Sequence, residues 1–288
     1  MRLARFGDNR LALVEGYVLR DVTHITERLP AQRWPIPVGD LLIANIENLR
    51  HSIALAADAA PRIPVTETTL LSPVANPPRI IAAPINYRMH QVEASDPGIS
   101  RGIDVSSEGF KTPIDKFGLF LKSPTSVVGA GQGIELAFPD RRSDYEVELA
   151  VIIGEKVKNV SARDAMDCIA GYCIGLDISV RGTEDRSYRK SADSYTVLGP
   201  WLVTADEIED PGSLGLRLAI DGEVRQDANT YDLIVGVPEL IERASRLFTL
   251  YPGDVILTGT PAGVGPLRAG QTIRAMIDGI GAMYVKVR

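Results

Sequence analysis

Asp144-Tyr145-Glu146-Val147-Glu148-Leu149-Ala150-Val151-Ile152-Ile153-Gly154 sets two glutamates at the head of a run that otherwise reads as a buried β-strand. Alternate residues of a strand share a face, so Glu146 and Glu148 point the same way as Ala150 and Ile152, about 7 Å apart by strand rise. Two anions so placed repel each other, and they tolerate burial only when protons or a cation compensate them. A hard divalent ion such as Mg²⁺ takes oxygen ligands from pairs of this kind. A solvated edge strand would carry the same residues without any site, because charged side chains are mostly exposed. Further acids elsewhere in the chain must decide between the two.

The 288 residues can bury a substantial core, as one large domain or one with a smaller partner. With 45% hydrophobic and 24% charged residues, and no apolar run approaching ~18 residues, the composition is that of a soluble globular protein without a membrane span. Met1-Arg2-Leu3-Ala4-Arg5-Phe6-Gly7 lacks the apolar core of a signal peptide and reads as an opening strand, so a cytoplasmic location is expected. Cys168 and Cys173 match no common zinc or redox spacing and read as two buried thiols. A net charge of −6 carries no nucleic-acid footprint, since Arg141-Arg142 and the stretch from Arg186 to Lys190 are local basic groups in an acidic whole.

Residues 1–76 have their own pattern, with short strand-like runs at 11–14 and 17–22 and a helical stretch at 38–59, closed by Pro73 and Pro77-Pro78. Beyond them the apolar runs are mostly strand-like, at 79–83, 145–153, 216–220 and 272–277. Ser161-Ala162-Arg163-Asp164 predicts a helix to about Tyr172, and Pro238 opens another through Leu250. Asp221-Gly222 between two strand-like runs predicts a tight hairpin. The fold class is therefore α+β dominated by mixed sheet, without the βαβ alternation of a doubly wound fold. Residues 93–116 are irregular, rich in glycine, proline and both signs of charge, and a stretch of that length suits a lid.

His90 and Glu93 lie three apart, and a helix starting at Pro84 would put them on one face within hydrogen-bond reach. A carboxylate beside an imidazole orients the ring and makes a poised base, although such pairs also decorate ordinary surface helices. Asp177 ends the apolar run from Cys173 to Leu176 and would make a third carboxylate with Glu146 and Glu148. Such a set suits Mg²⁺ or Mn²⁺ far better than zinc. His24 and His51 have no ligand-like neighbours. Thr258-Gly259-Thr260-Pro261-Ala262-Gly263-Val264-Gly265 follows a short apolar run and is either an anion-binding loop or a plain turn. It lacks the order and lysine of a phosphate-binding loop, Gly129 to Gly133 is no dinucleotide fingerprint, and no nucleophile elbow is present.

Taken in chain order, seven blocks resemble the fumarylacetoacetate hydrolase family. They are Asn86-Tyr87-x-x-His90-x-x-Glu93, Leu119-Phe120-Leu121-Lys122, the stretch from Asp144 to Leu149, Asp177 with Arg181, Lys190-Ser191-Ala192-Asp193, Leu198-Gly199-Pro200-Trp201, and the loop from Thr258 to Gly265. The similarity covers roughly residues 78–288. It implies a mixed β-sheet roll as the catalytic domain, residues 77–288, with a small N-terminal α/β region, residues 1–76, packed beside it and a homodimer as the common assembly. By the same resemblance Glu146, Glu148 and Asp177 hold one Mg²⁺ or Mn²⁺ per subunit, and His90 with Glu93 activates water or shuttles a proton. Lys190 would stabilise developing negative charge. Tyr87, Lys122, Arg181 and Glu184 would surround a small anionic 2-oxo acid, whose carboxylate Thr260 and its loop would hold.

The implied reaction is hydrolysis of a C–C bond in a 2,4-dioxo acid, of acylpyruvate, fumarylpyruvate or diketo sugar-acid type, with pyruvate leaving as its enolate. Oxaloacetate decarboxylation and hydroxymuconate-type isomerisation need the same centre, and an inactive binding protein could keep the same fold. No nucleic-acid or membrane partner is expected. Four positions depart from the family pattern: Pro84 for Gly, Leu176 for Asn, Ala192 for Phe and Glu184 for Gln. An acid at 184 would disfavour a neighbouring anion unless protonated or turned away. Residues 94–116 are longer than is typical, which would alter the lid and with it the choice of substrate tail.

Overall fold

A computed structural model describes residues 1–100, 104 and 106–288. Val147–Ile153 is an interior strand of a 12-stranded mixed sheet, antiparallel to Ile169–Asp177 on one side and to Val255–Leu257 on the other. Outward from Ile169–Asp177 come Thr196–Thr204, Arg2–Phe6, Arg10–Glu15, Val18–Asp21 and Arg62–Pro64. Outward from Val255–Leu257 come Ile80–Ala82, a parallel neighbour, and then Phe120–Lys122. Because Arg2–Phe6 pairs with Thr196–Thr204, the N-terminal strands extend the sheet that carries the candidate acids.

All seven residues of Val147–Ile153 are buried, and the strand's two faces explain why its sequence is apolar without alternation. On one face Leu149 and Val151 pack with Leu216, Leu218 and Ile273 from a separate four-stranded sheet. On the other, Ala150 and Ile152 pack with Leu49 and Ile53 of the helix Ile46–Ala59. Truncating one such side chain, Leu149→Ala for example, costs about 2–5 kcal/mol through lost burial and the cavity left behind.

A third, three-stranded sheet positions the acids. Ser143–Tyr145 pairs there with Ser179–Val180 and Gly265–Pro266. The chain thus leaves this small sheet for the large one at Glu146, and the neighbouring strand makes the reverse exchange just after Asp177. The Asp177 amide donates to the Glu146 carbonyl at 2.9 Å, locking the two crossing points side by side.

Several local expectations are corrected. No long helix follows Ser161: Ser161 Oγ donates to Asp164, but only a short 3₁₀ turn at Ala165–Cys168 forms before the strand Ile169–Asp177 begins. Pairing on both edges of that strand outweighs the local capping signal. The N-terminal helix starts at Ile46 after a 3₁₀ turn at Ile43–Asn45, because buried Asp40 caps the Leu42 and Ile43 amides and holds Ala75 and Asn76 as well. The helix carrying His90 runs Arg88–Glu93 and does not begin at Pro84, since Ile85 has φ +48° and breaks any helical path. Asp221-Gly222 does form the expected hairpin turn, with φ +50° and +90° between Gly215–Ile220 and Glu223–Asn229. Pro238 lies in the first turn of Val237–Leu247. Of the stretch expected to form a lid, the described part holds the short helices Pro97–Ser100 and Pro113–Phe117, while residues 101–103 and 105 lie outside the described residues.

Candidate active site

Glu146, Glu148 and Asp177 are all buried, and one carboxylate oxygen from each lies within 4.8 Å of the others. Cations surround them unequally. Lys190 Nζ donates to Glu146 at 2.7 Å, to Asp177 at 2.6 Å and to Ser179 Oγ. Lys122 Nζ takes the other Asp177 oxygen at 2.5 Å and also the Tyr195 carbonyl. Arg181 reaches the remaining Glu146 oxygen at 3.1 Å, while its Nε is held by Asp144 at 2.7 Å. Among the described residues Glu148 has only the Gly259 amide, donating at 2.6 Å.

The electrostatics follow this inequality. Burial raises the Glu148 carboxyl well above its ordinary value, and the charges of Asp177 and Glu146 push it further. Burial also pushes Glu146 up, but Lys190 and then Arg181 outweigh it and hold the group below the usual carboxylate range. Burial lowers Lys122, against the pull of Asp177, whereas the carboxylates of Asp177 and Glu146 overcome burial at Lys190 and raise it. Glu148 is thus the acid whose charge is least compensated by the protein. Three clustered, buried oxygen donors with an uncompensated carboxylate fit a hard divalent cation.

The second group is His90 and Glu93. His90 Nδ1 lies 2.8 Å from Glu93 Oε2, and Glu93 Oε1 accepts the Gly263 amide at 2.9 Å. Glu93 is therefore fixed from a loop 170 residues away, leaving Nε2 as the imidazole nitrogen without that partner. Buried Asn86 fastens the same region by donating to the Val235 and Thr258 carbonyls and accepting the Val235 amide, each at 2.9 Å. Gly259 has φ +101°, and a Cβ there would stand 2.7 Å from Asn86 Cβ, so only glycine lets this loop bring its amide to Glu148.

His90, Glu146, Glu148, Asp177, Lys190 and Thr260 line one cavity, and Arg181 does so as well. Other expected positions are placed elsewhere. Lys122 sits behind Asp177 and is fully buried, so it does not face the cavity. Tyr87 precedes the Arg88–Glu93 helix with its hydroxyl buried and, among the described residues, unpartnered, and burial followed by the Glu148 charge raises its phenol. Glu184 is turned outward and paired with Arg141 at 2.8 Å, which corrects the expectation of an acid beside the substrate. Ala192 packs against the core. The Thr260 hydroxyl donates to the Val147 carbonyl at 3.0 Å and accepts from Gln226, so it fixes the strand before Glu148 and has no hydrogen left for a substrate carboxylate.

Sequence reasoning passed over Asp144 as the anchor of Arg181, Gln226 as the anchor of Val147 and Thr260, and Arg186 and Arg189 in the cavity wall. Adjacency of Asp144 to the glutamates was a usable signal. The contacts of Gln226 cross between sheets and have none.

Residues 79–288 match the family model described as fumarylacetoacetate (FAA) hydrolase C-terminal. A maleylpyruvate hydrolase of Aquipseudomonas alcaligenes is 50% identical over 289 residues, covering 100% of this chain and 99% of its own. The solved maleylpyruvate hydrolase of Sphingobium sp. SYK-6, in complex with manganese(II) and pyruvate, is 38% identical with a TM-score of 0.83, covering 100% of this chain and 98% of that one. A mitochondrial oxaloacetate tautomerase of Xenopus laevis is 37% identical over 228 residues, 75% of this chain and 67% of its own. With its acids at the junction of two sheets and its family match spanning the whole roll, the chain belongs to the fumarylacetoacetate hydrolase family.

Proposed function

We propose that the protein is a divalent-metal-dependent hydrolase that cleaves a C–C bond in an acylpyruvate, with maleylpyruvate as the leading substrate. The reading is carried by one observation: the carboxylate cluster and His90, held from behind by Glu93, share a single cavity in a chain half identical, over its full length, to a maleylpyruvate hydrolase. Glu146, Glu148 and Asp177 would hold the ion. When bound, a divalent cation supplies Lewis-acid stabilisation of negative charge on the pyruvate half of the substrate. The Sphingobium enzyme's complex with manganese(II) and pyruvate supports Mn²⁺ in that place.

The chain's own groups do the proton chemistry. Glu93, fixed by the Gly263 amide, holds Nδ1–H of His90 and favours the imidazolium that forms when Nε2 takes a proton from water. The water oxygen bonds to the carbonyl carbon four atoms along the acid. The bond between that carbon and the pyruvate methylene carbon then breaks, and its electron pair leaves with the pyruvate half. A proton returned from the imidazolium completes pyruvate, while the acyl half leaves as a carboxylic acid. Lys190, at hydrogen-bond distance from two of the three acids, places a positive charge beside the oxygens where negative charge develops.

Metal-stripped protein mixed with maleylpyruvate is expected to release pyruvate only after Mn²⁺ is added, read by a coupled lactate dehydrogenase assay. The likeness to an oxaloacetate tautomerase motivates a parallel trial with oxaloacetate. Enol–keto conversion or CO₂ release there, with no pyruvate from maleylpyruvate, would replace the hydrolase with an isomerase or lyase. A homodimer, Mg²⁺ as a working alternative ion and a cytoplasmic site of action belong to the same proposal, the first tested by sedimentation.

A further inference from the structure

The cavity that holds the acids also carries two further arginines. Arg186 and Arg189 line it together with the acids, and Ile99 and Phe120 contribute apolar wall. Arg189 is buried, yet its Nε donates to the Glu184 carbonyl at 2.8 Å and its Nη1 to the Val180 carbonyl at 3.0 Å. Neutral carbonyls fix the guanidinium without cancelling its charge, and its second terminal nitrogen is not used in these bonds. Arg186 lies over the Phe117 ring, 4.5 Å from its centroid. Neither arginine forms an ion pair with a carboxylate among the described residues, whereas Lys122, Arg181 and Lys190 in the same site each do. The nearest acid in sequence, Asp185, turns its side chain to the Ser187 amide at 2.7 Å. Burial, and then the charge of Arg189, lowers Arg186, more than Asp185 and Glu146 raise it.

We propose that Arg186 and Arg189 form a subsite for a second carboxylate, at the far end of the substrate from the 2-oxo acid, so that the enzyme selects acylpyruvates whose acyl chain ends in a carboxylate. The proposal rests on the hydrolase reading above and adds the chemistry of the acyl tail. Guanidinium groups match carboxylates in planar, two-point geometry, and pairing in a cavity of low dielectric relieves the cost of holding both cations there. The three acids claim the end of the substrate that binds metal, and of the arginines and lysines that line the cavity, Arg186 and Arg189 are the two without a carboxylate partner among the described residues. An acyl tail ending in a methyl group would leave both arginines uncompensated. Phe117 belongs to Pro113–Phe117, at the end of the lengthened stretch after Glu93, which gives that stretch a role in holding Arg186.

The test compares maleylpyruvate with acetylpyruvate, which lacks the second carboxylate, on the metal-loaded full-length protein. Pyruvate release is followed for the native chain, Arg186→Met and Arg186→Lys, each checked by thermal melting. The native chain is expected to prefer maleylpyruvate by about a hundredfold or more in kcat/KM. In Arg186→Met that preference should fall about tenfold or more, chiefly through KM for maleylpyruvate, and Arg186→Lys should restore part of it. Equal use of both substrates by the native chain, or a proportional loss on both in Arg186→Met, would overturn the subsite while leaving the hydrolase intact. Pyruvate from neither substrate would overturn the hydrolase reading, and the subsite with it.

Discussion

The two ends of the cavity hold their charges by opposite means. At the acid end, Glu146 and Asp177 sit where two paired strands change sheets, and two lysines and an arginine meet them from several directions. At the arginine end the charged groups come from a five-residue helix and lean on an aromatic ring and on backbone carbonyls. Strand junctions fixed by long-range pairing tolerate little movement, which suits groups that must meet a metal within a few tenths of an ångström. Short helices and loops are easier to vary, which suits the part of the site that reads the substrate tail.

Substitutions at the acid end should therefore have the largest effects. Glu148→Ala or Asp177→Ala is expected to abolish Mn²⁺ binding by calorimetry and to lower pyruvate release at least about a thousandfold. His90→Ala should keep metal binding and lose about a hundredfold to ten-thousandfold in kcat. Gly259→Ala forces a Cβ against Asn86 at a φ of +101°, and should cost about 2–4 kcal/mol by denaturant melting while loosening the amide that holds Glu148.

Glu148 offers a finer contrast with Glu146. Its folded pKa is raised by burial and by Asp177 and Glu146, so in metal-free protein its contribution to stability is full below the ordinary carboxylate value of about 4.3 and is lost as pH rises through the folded value. Glu148→Gln removes that titration. Metal-stripped Glu148→Gln should melt higher than the metal-stripped native chain at pH 8 and gain nothing from Mn²⁺, whereas the native chain should gain. For Glu146, whose pKa is lowered, the sign reverses, and its contribution is lost as pH falls. The smallest effect belongs to the other end: Phe117→Ala should raise KM for a dicarboxylate acylpyruvate about two- to fivefold by removing the ring beneath Arg186.

What the sequence made legible tracks how local each signal is. The strand from Val147, the third acid after Leu176 and the His90–Glu93 spacing follow from periodicity and ordered blocks, and the structure brings Glu148, Asp177 and His90 to one cavity. The misread helix after Ser161 shows the limit, since its capping signal is real but strand pairing on both sides overrides it. Glu184 was misplaced because a motif position says nothing about where a rotamer turns, and Arg141 draws it outward. The Gly263–Glu93 and Gln226–Thr260 contacts join segments far apart in the chain, so no window of sequence contains them.

The central claim is that Glu146, Glu148 and Asp177 hold a divalent cation. Diffraction from crystals soaked in Mn²⁺, recorded at the manganese absorption edge, tests it most directly. One anomalous peak per chain within about 2.1–2.3 Å of an oxygen from each of the three carboxylates is the predicted result. An ordered peak elsewhere, or no peak with Lys190 still bridging Glu146 and Asp177, would contradict it.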